Sequence, residues 1–140
     1  MTIEELERTL PNGFHDAEIS TIRLDYVKRI TSMELTIWMD DLQVSPEFRE
    51  LYRDAVLEFE GMQSVILDPP DPGYTFARAE PLSVDLDERA PDPPIPAFAK
   101  LPQGSFVARF YVRDWNSWIS IAATSANLRW TSEVYSKLDE

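Results

Sequence analysis

The residues of this chain whose types and spacing could do chemistry are His15, Asp16 and Glu18. An imidazole beside carboxylates can ligate a metal ion or act in general acid/base catalysis. His15 is the only histidine and the chain has no cysteine, so the other ligands of a metal site would have to be carboxylates. The motif therefore leaves open a small metal-binding protein or hydrolase built on His15, Asp16 and Glu18.

A structural interpretation competes with the chemical one. Pro11, Asn12 and Gly13 mark a turn, since proline fixes one dihedral angle while asparagine and glycine tolerate positive φ. His15 and Asp16 would then hold this turn through hydrogen bonds to its backbone. We favour this interpretation, which predicts no catalytic residue, no metal and no cofactor. It also predicts that His15→Ala lowers the free energy of unfolding by about 1 to 3 kcal/mol, the scale for a buried hydrogen-bond partner left unsatisfied.

Other site chemistries have weaker support. No serine stands in a Gly-x-Ser-x-Gly setting, and only four glycines occur in the chain, which argues against phosphate-binding loops. Four tryptophans could form a sugar-stacking platform, but tryptophans more often cover a core or a sheet. They are Trp38, Trp115, Trp118 and Trp130.

Charge points to the class of partner. The net charge of the 140 residues is −12, with 25 acidic and 13 basic residues. Nucleic acid and anionic membranes would be repelled, whereas a basic protein would be attracted. The acidic run of Asp85, Asp87, Glu88 and Asp92 is the candidate partner-binding surface. The alternatives are that the charge serves solubility and that edge charges discourage aggregation.

Hydrophobic periodicity predicts a mainly β fold, α+β by strict count. The length of 140 residues suits a single domain over residues 1–140. A capping box at Thr2 and Glu5 starts a helix over 2–10, and Ser45 and Pro46 start a second helix over 45–53. Pro81 interrupts a strand over 74–87, and five prolines make residues 88–102 a loop or arm. We expect an antiparallel sandwich or curled meander sheet of seven to eight short strands with two short helices, and a fraying tail over 132–140. The other strands are expected near 22–26 (with a bulge at Ser20 and Thr21), 33–39, 54–60, 62–67, 105–113, 118–123 and 126–131.

Two segments carry a resemblance to known proteins. Residues 14–19, Phe-His-Asp-Ala-Glu-Ile, resemble the opening of small bacterial proteins assigned to immunity protein 50 and related uncharacterised families. Residues 55–62, Ala-Val-Leu-Glu-Phe-Glu-Gly-Met, are similar to that family's strand of the form Val-x-Leu-x-Phe-x-Gly-Val. The resemblance implies no enzyme activity, and His15, Asp16 and Glu18 are the motif positions that carry over.

The leading hypothesis is therefore a non-catalytic bacterial protein that binds another protein, as an immunity protein does when it occludes a basic toxin. We expect it in the cytoplasm, because the N-terminus is acidic rather than signal-like and no apolar run approaches the roughly 20 residues that span a bilayer. The alternative is the metal-binding protein or hydrolase. Metal content of the untagged protein separates the two.

Overall fold

Nine antiparallel strands and one short helix form the regular structure that the computed structural model describes, in residues 1–39, 51–75, 80–86 and 100–136. The strands form one open sheet in the order β4-β7-β6-β5-β1-β2-β3-β8, and β9 pairs with the start of β3. The elements are α1 (Ile3–Glu7), β1 (Ala17–Asp25), β2 (Ile30–Trp38), β3 (Leu51–Glu60), β4 (Ser64–Leu67), β5 (Leu82–Leu86), β6 (Phe106–Val112), β7 (Ser117–Ala123), β8 (Ser125–Trp130) and β9 (Tyr135–Ser136).

The predicted mainly β, antiparallel fold is confirmed, and the sheet is strongly curled. Chain continuity shows the curl, because β7 and β8 lie near opposite ends of the strand order yet only Thr124 separates them. The backbone N–H of Thr124 donates to the carbonyl of Glu60, at 3.0 Å, at the end of β3. Gly61 follows Glu60 with φ of +63°, a conformation that glycine adopts without a steric penalty. The two ends of the sheet therefore meet at this corner.

The concave side of the curled sheet holds the core. Alternate residues of the strands are buried there, and Phe14, Phe59 and Phe110 pack edge-to-face at ring-centroid distances of 6.0 and 6.4 Å. Ile3 and Leu6 add the apolar face of α1 to the same cluster. Edge-to-face rings bring the positive edge of one ring to the negative face of another, so this geometry adds to the burial of apolar surface.

The N-terminal segment matches its sequence signals in most respects. The capping box is present, with Thr2 Oγ1 accepting from the Glu5 amide and Glu5 Oε2 accepting from the Thr2 amide, each at 3.1 Å. The helix is shorter than predicted, because it ends at Glu7 and residues 8–16 form successive turns. Gly13 has φ of +56°, and the register of β1 against β2 shifts between Ile19 and Thr21, so the predicted turn and bulge are confirmed.

Two predictions about chain segments are wrong where the structure describes them. Residues 51–53, assigned to a second helix, belong to β3, where Tyr52 pairs with Trp38 and with Tyr135. Hydrogen bonding to strands on both sides of β3 outweighs the helical spacing of apolar residues that predicted a helix here. The tail does not fray from residue 132, because β9 adds to the sheet and Ser132 Oγ accepts from the Asp54 amide at 2.9 Å.

Further predictions depend on residues only partly described. The strand predicted over 74–87 begins at Leu82, after Pro81, within the described part of that stretch. Residues 45–50 of the second helix and 88–99 of the proline-rich arm lie outside the described residues. No helix in the described ranges is long and apolar enough to span a membrane.

Candidate functional site

A cluster of four ionisable residues forms where three segments of the fold converge. We call His15, Asp16, Asp85 and Arg113 the His15 cluster. His15 and Asp16 end the N-terminal turns directly before β1, Asp85 lies in β5, and Arg113 follows β6. The registers Ala17↔Val84 and Val84↔Val112 align these segments, so residues far apart in the chain become neighbours.

Hydrogen bonds and ion pairs join all four residues. Nδ1 of His15 lies 2.8 Å from Oδ1 of Asp85, and Nε2 lies 3.3 Å from Oδ2 of Asp16. Arg113 donates through Nη2 to Oδ1 of Asp16, and its Nε lies 3.4 Å from Oδ2 of Asp85. Asp16 has φ of +56°, and its backbone N–H donates to Oδ1 of Asp85 at 3.0 Å. Each carboxylate of the cluster thus contacts both His15 and Arg113.

This arrangement holds the N-terminal turns against β5 and the end of β6. It differs from the predicted one, in which the side chains of His15 and Asp16 bind the backbone of the turn. The turn is closed instead by main-chain bonds such as His15 N–H to the Asn12 carbonyl at 3.2 Å, while the His15 ring reaches Asp85. The His15 side chain is 60% exposed. Because water can replace its bonds, we lower the expected loss in His15→Ala to about 1 kcal/mol or less.

The structure brings together only some of the predicted site residues. His15 and Asp16 meet, but Glu18 lies in β1 opposite Thr36 and is not part of the cluster. Asp85, assigned from sequence to partner binding, joins the cluster instead. Arg113 carried no site prediction. Asp85 and Arg113 could have been assigned to the cluster only from the pairing register of β1, β5 and β6. These strands are too far apart in the chain for a local sequence pattern to predict that register.

Three members of the cluster have the atoms of a metal site. His15, Asp16 and Asp85 each offer a ligand atom, and these atoms lie within 4.8 Å of one another. Arg113 contacts both carboxylates, however, and so takes the position of their counter-ion. A divalent cation would have to displace this counter-ion. A depression of about 530 Å³ lies beside His15 and Asp85, and Glu7, Asn12 and Tyr111 contribute to its lining.

A second group of charges lies on the outer face of the sheet. Glu34 in β2 and Asp54 and Glu58 in β3 share this face, opposite the buried Leu35 and Leu57. We call these three carboxylates the acidic stripe. The registers Thr36↔Asp54, Glu34↔Val56 and Ser32↔Glu58 set them side by side.

The acidic stripe has an arginine on each side. Arg23 of β1 is opposite Ser32, and Arg129 of β8 is opposite Val56. Among the described residues, the side chains of Arg23, Glu34, Glu58 and Arg129 make no ion pair and no hydrogen bond. These four side chains therefore differ from those of the His15 cluster, which contact one another.

Asp54 is anchored at one end of the stripe. Its Oδ1 accepts from the Thr36 hydroxyl at 2.9 Å and from the Tyr135 hydroxyl at 2.8 Å. Burial, and then the hydrogen bond to Asp54, raise the pKa of Tyr135 above its usual 10.0. Neither bond uses Oδ2 of Asp54.

The remaining predicted partner-binding residues are Asp87, Glu88 and Asp92, which lie outside the described residues. Asp85 is only 26% exposed, and its carboxylate already contacts the side chains of His15 and Arg113. The acidic run therefore stays a prediction. The tryptophans do not form one platform among the described residues: Trp115 and Trp130 pack against the core, Trp118 stacks with Arg109, and Trp38 lies near His15.

Comparison with known proteins gives no relative. No protein-family model matches the chain. No curated protein matches it. No solved structure matches it.

Proposed function

We propose that this protein is non-catalytic and acts by binding a basic protein. The observation that supports this proposal is the contrast between the two charged groups. The side chains of the His15 cluster contact one another, whereas Glu34 and Glu58 of the acidic stripe make no ion pair or hydrogen bond among the described residues. With a net charge of −12, long-range attraction speeds encounter with a basic partner.

The geometry of His15 supports a structural role for the motif. A general base needs a ring nitrogen that reaches the proton of a substrate. Here Nδ1 faces Asp85 and Nε2 faces Asp16, so both nitrogens are directed at carboxylates of the protein itself. We propose that the cluster fastens the N-terminal turns to the sheet and carries out no reaction.

The resemblance of residues 14–19 and 55–62 to the immunity protein 50 group suggests one biological setting. An immunity protein binds and occludes a toxin made by the same or a neighbouring bacterium. We propose this role, in the bacterial cytoplasm and against a basic toxin, as the form of binding that fits the charge.

The test of the general proposal is binding to a defined basic protein. Hen lysozyme serves as the basic probe and serum albumin as the acidic control, with association measured by surface plasmon resonance over a salt series. We expect association with the basic probe only, slowing as salt rises, because exposed charges are screened with a Debye length of about 8 Å at physiological salt. Equal responses to both probes, or none to the basic one, would remove the proposal.

Metal binding is the second candidate, because His15, Asp16 and Asp85 place three ligand atoms within 4.8 Å. Calorimetric titration of untagged protein with Zn²⁺ distinguishes it. If Arg113 excludes the ion, wild type shows no stoichiometric binding, while Arg113→Ala gains some affinity. Stoichiometric binding by wild type that is lost in His15→Ala would favour the metal-binding protein.

A further inference from the structure

The outer face of the sheet around the acidic stripe has charged and apolar residues whose spacing indicates the chemistry of a binding partner. Two shallow depressions, of about 400 and 170 Å³, lie on this face and share Glu34 and Val56 in their linings. The larger depression extends to Asp54 and Tyr135, and the smaller one to Glu58 and Arg129. We call these two adjoining depressions the trough.

We propose that this trough is the docking site for an extended basic segment of a partner protein. The inference rests on the proposed function and assigns the partner's contact chemistry and its place on the sheet. A protein segment is the expected occupant, because the trough combines carboxylates, a half-buried Val56 and the ring of Tyr135. The basic, aliphatic and aromatic side chains of a peptide can contact all three.

Charge complementarity sets the spacing in the partner. Asp54 and Glu58 are four residues apart on one face of β3, which places their side chains about 13 Å apart at the usual strand rise. Val56 lies midway between them, with Glu34 beside it across the register. An extended segment with two basic residues four positions apart and an apolar residue midway has the same spacing. It would place its cations over Asp54 and Glu58 and its apolar side chain over Val56.

Unpaired charges are the second observation for this site. Carboxylates on a sheet surface usually gain from a cross-strand cation, yet Glu34 and Glu58 make no ion pair with Arg23 or Arg129, which flank them. Oδ2 of Asp54 accepts no hydrogen bond from the described residues. A cation docked in the trough would meet carboxylates that need not first break a bond within the described part of the chain. The flanking arginines can donate to backbone carbonyls of the same segment.

The experiment uses nuclear magnetic resonance titration of the full chain with a defined probe. The probe is a capped, otherwise uncharged peptide with two arginines four residues apart and a valine midway, and its control has the same composition with the arginines adjacent. We expect the spaced peptide to shift resonances of β2 and β3 around the stripe and to bind more tightly than the control. Equal binding of the two peptides, or shifts confined to other surfaces, would overturn the site.

Substitutions inside and outside the trough distinguish binding at this site from long-range attraction by the net charge. Glu34→Gln with Glu58→Gln removes two carboxylates of the stripe, while Glu4→Gln with Asp68→Asn removes two from α1 and from the residue after β4. We expect the stripe variant to weaken binding of the spaced peptide about tenfold and the control variant to change it less than about twofold. Val56→Arg, which places a cation in the middle of the trough, should also weaken it.

The outcomes distinguish this inference from the proposed function. If lysozyme binds wild type but the stripe and control variants bind the peptide alike, the protein binds basic partners at another surface, and the trough is wrong. If neither lysozyme nor the peptide binds, the proposed function fails, and the inference fails with it. Thermal melts of each variant exclude loss of fold as the cause, because a variant that melts as wild type does has kept its structure.

Discussion

At the residue scale, Arg113 is the residue that makes the His15 cluster a structural unit. Its guanidinium bridges Asp16 and Asp85, two carboxylates that would otherwise repel each other beside His15. A bidentate arginine fits this role better than a lysine, since its planar fork can reach two acceptors at once. The cluster joins the N-terminal turns to two strands, so a single side chain contributes to the docking of three segments.

We therefore expect Arg113→Met to lower the free energy of unfolding by about 1 kcal/mol, near the upper end for a partly exposed ion pair. The matched control is Arg129→Met, since Arg129 is also exposed but makes no ion pair among the described residues. Its cost should stay within about 0.5 kcal/mol. Urea unfolding of the three proteins measures the difference. Equal stabilities of the two variants would show that the cluster contributes nothing to the fold.

Tyr135 gives a prediction about pH. Its pKa is raised by burial and by the hydrogen bond to Asp54, so the folded state holds the phenolic proton more tightly than the unfolded chain does. The stabilisation is complete below pH of about 10 and is lost as pH rises through the raised pKa. We expect the free energy of unfolding to fall above pH 10 less steeply in Tyr135→Phe than in wild type. Tyr26→Phe, which removes an exposed hydroxyl, is the control and should keep the wild-type slope.

At the scale of the elements, local patterns predicted the strands better than their partners. The alternation of Met33, Leu35 and Ile37 predicted β2, which pairs with β1 as its neighbour in sequence. No local sequence pattern predicted the pairing between distant strands. For example, β4 pairs with β7, and β7 does not form a hairpin with β8. The site depended on the distant pairing of β1 with β5, so the sequence placed His15 beside Asp16 but could not place Asp85 and Arg113 with them.

The corner where β3, β7 and β8 meet gives a prediction about the stability of a Gly61 variant. Gly61 has φ of +63°, and a Cβ atom there would lie 2.1 Å from Oγ1 of Thr124. Gly61→Ala should therefore lose about 1 to 2 kcal/mol from backbone strain and more from displacing Thr124. Gly104→Ala is the control, because Gly104 also has a positive φ, of +88°, but a Cβ there would meet nothing within 4 Å. Chemical denaturation should find Gly61→Ala the less stable variant. If Gly104→Ala were instead the less stable variant, Thr124 would be able to move away from the added Cβ atom at position 61 without loss of stability.

At the scale of the whole molecule, the net charge and the acidic stripe should affect binding differently. Net charge acts over distance and changes the rate of encounter, whereas contacts at a docking site set how long the complex lasts. The acidic run and the acidic stripe can be compared on this basis. Asp85 is left out of the comparison because its replacement would disturb the His15 cluster.

We expect Asp87→Asn, Glu88→Gln and Asp92→Asn together, which change the net charge from −12 to −9, to slow association with a basic protein and leave dissociation nearly unchanged. Glu34→Gln with Glu58→Gln should slow association to a smaller degree and speed dissociation, because it removes contacts within the trough. Surface plasmon resonance with lysozyme at several salt concentrations measures both rates. High salt should reduce the difference in association between the variants, since screening removes long-range attraction first. If the acidic-run variant instead sped dissociation while the stripe variant left it unchanged, the docking site would lie at the acidic run rather than on the outer face of the sheet.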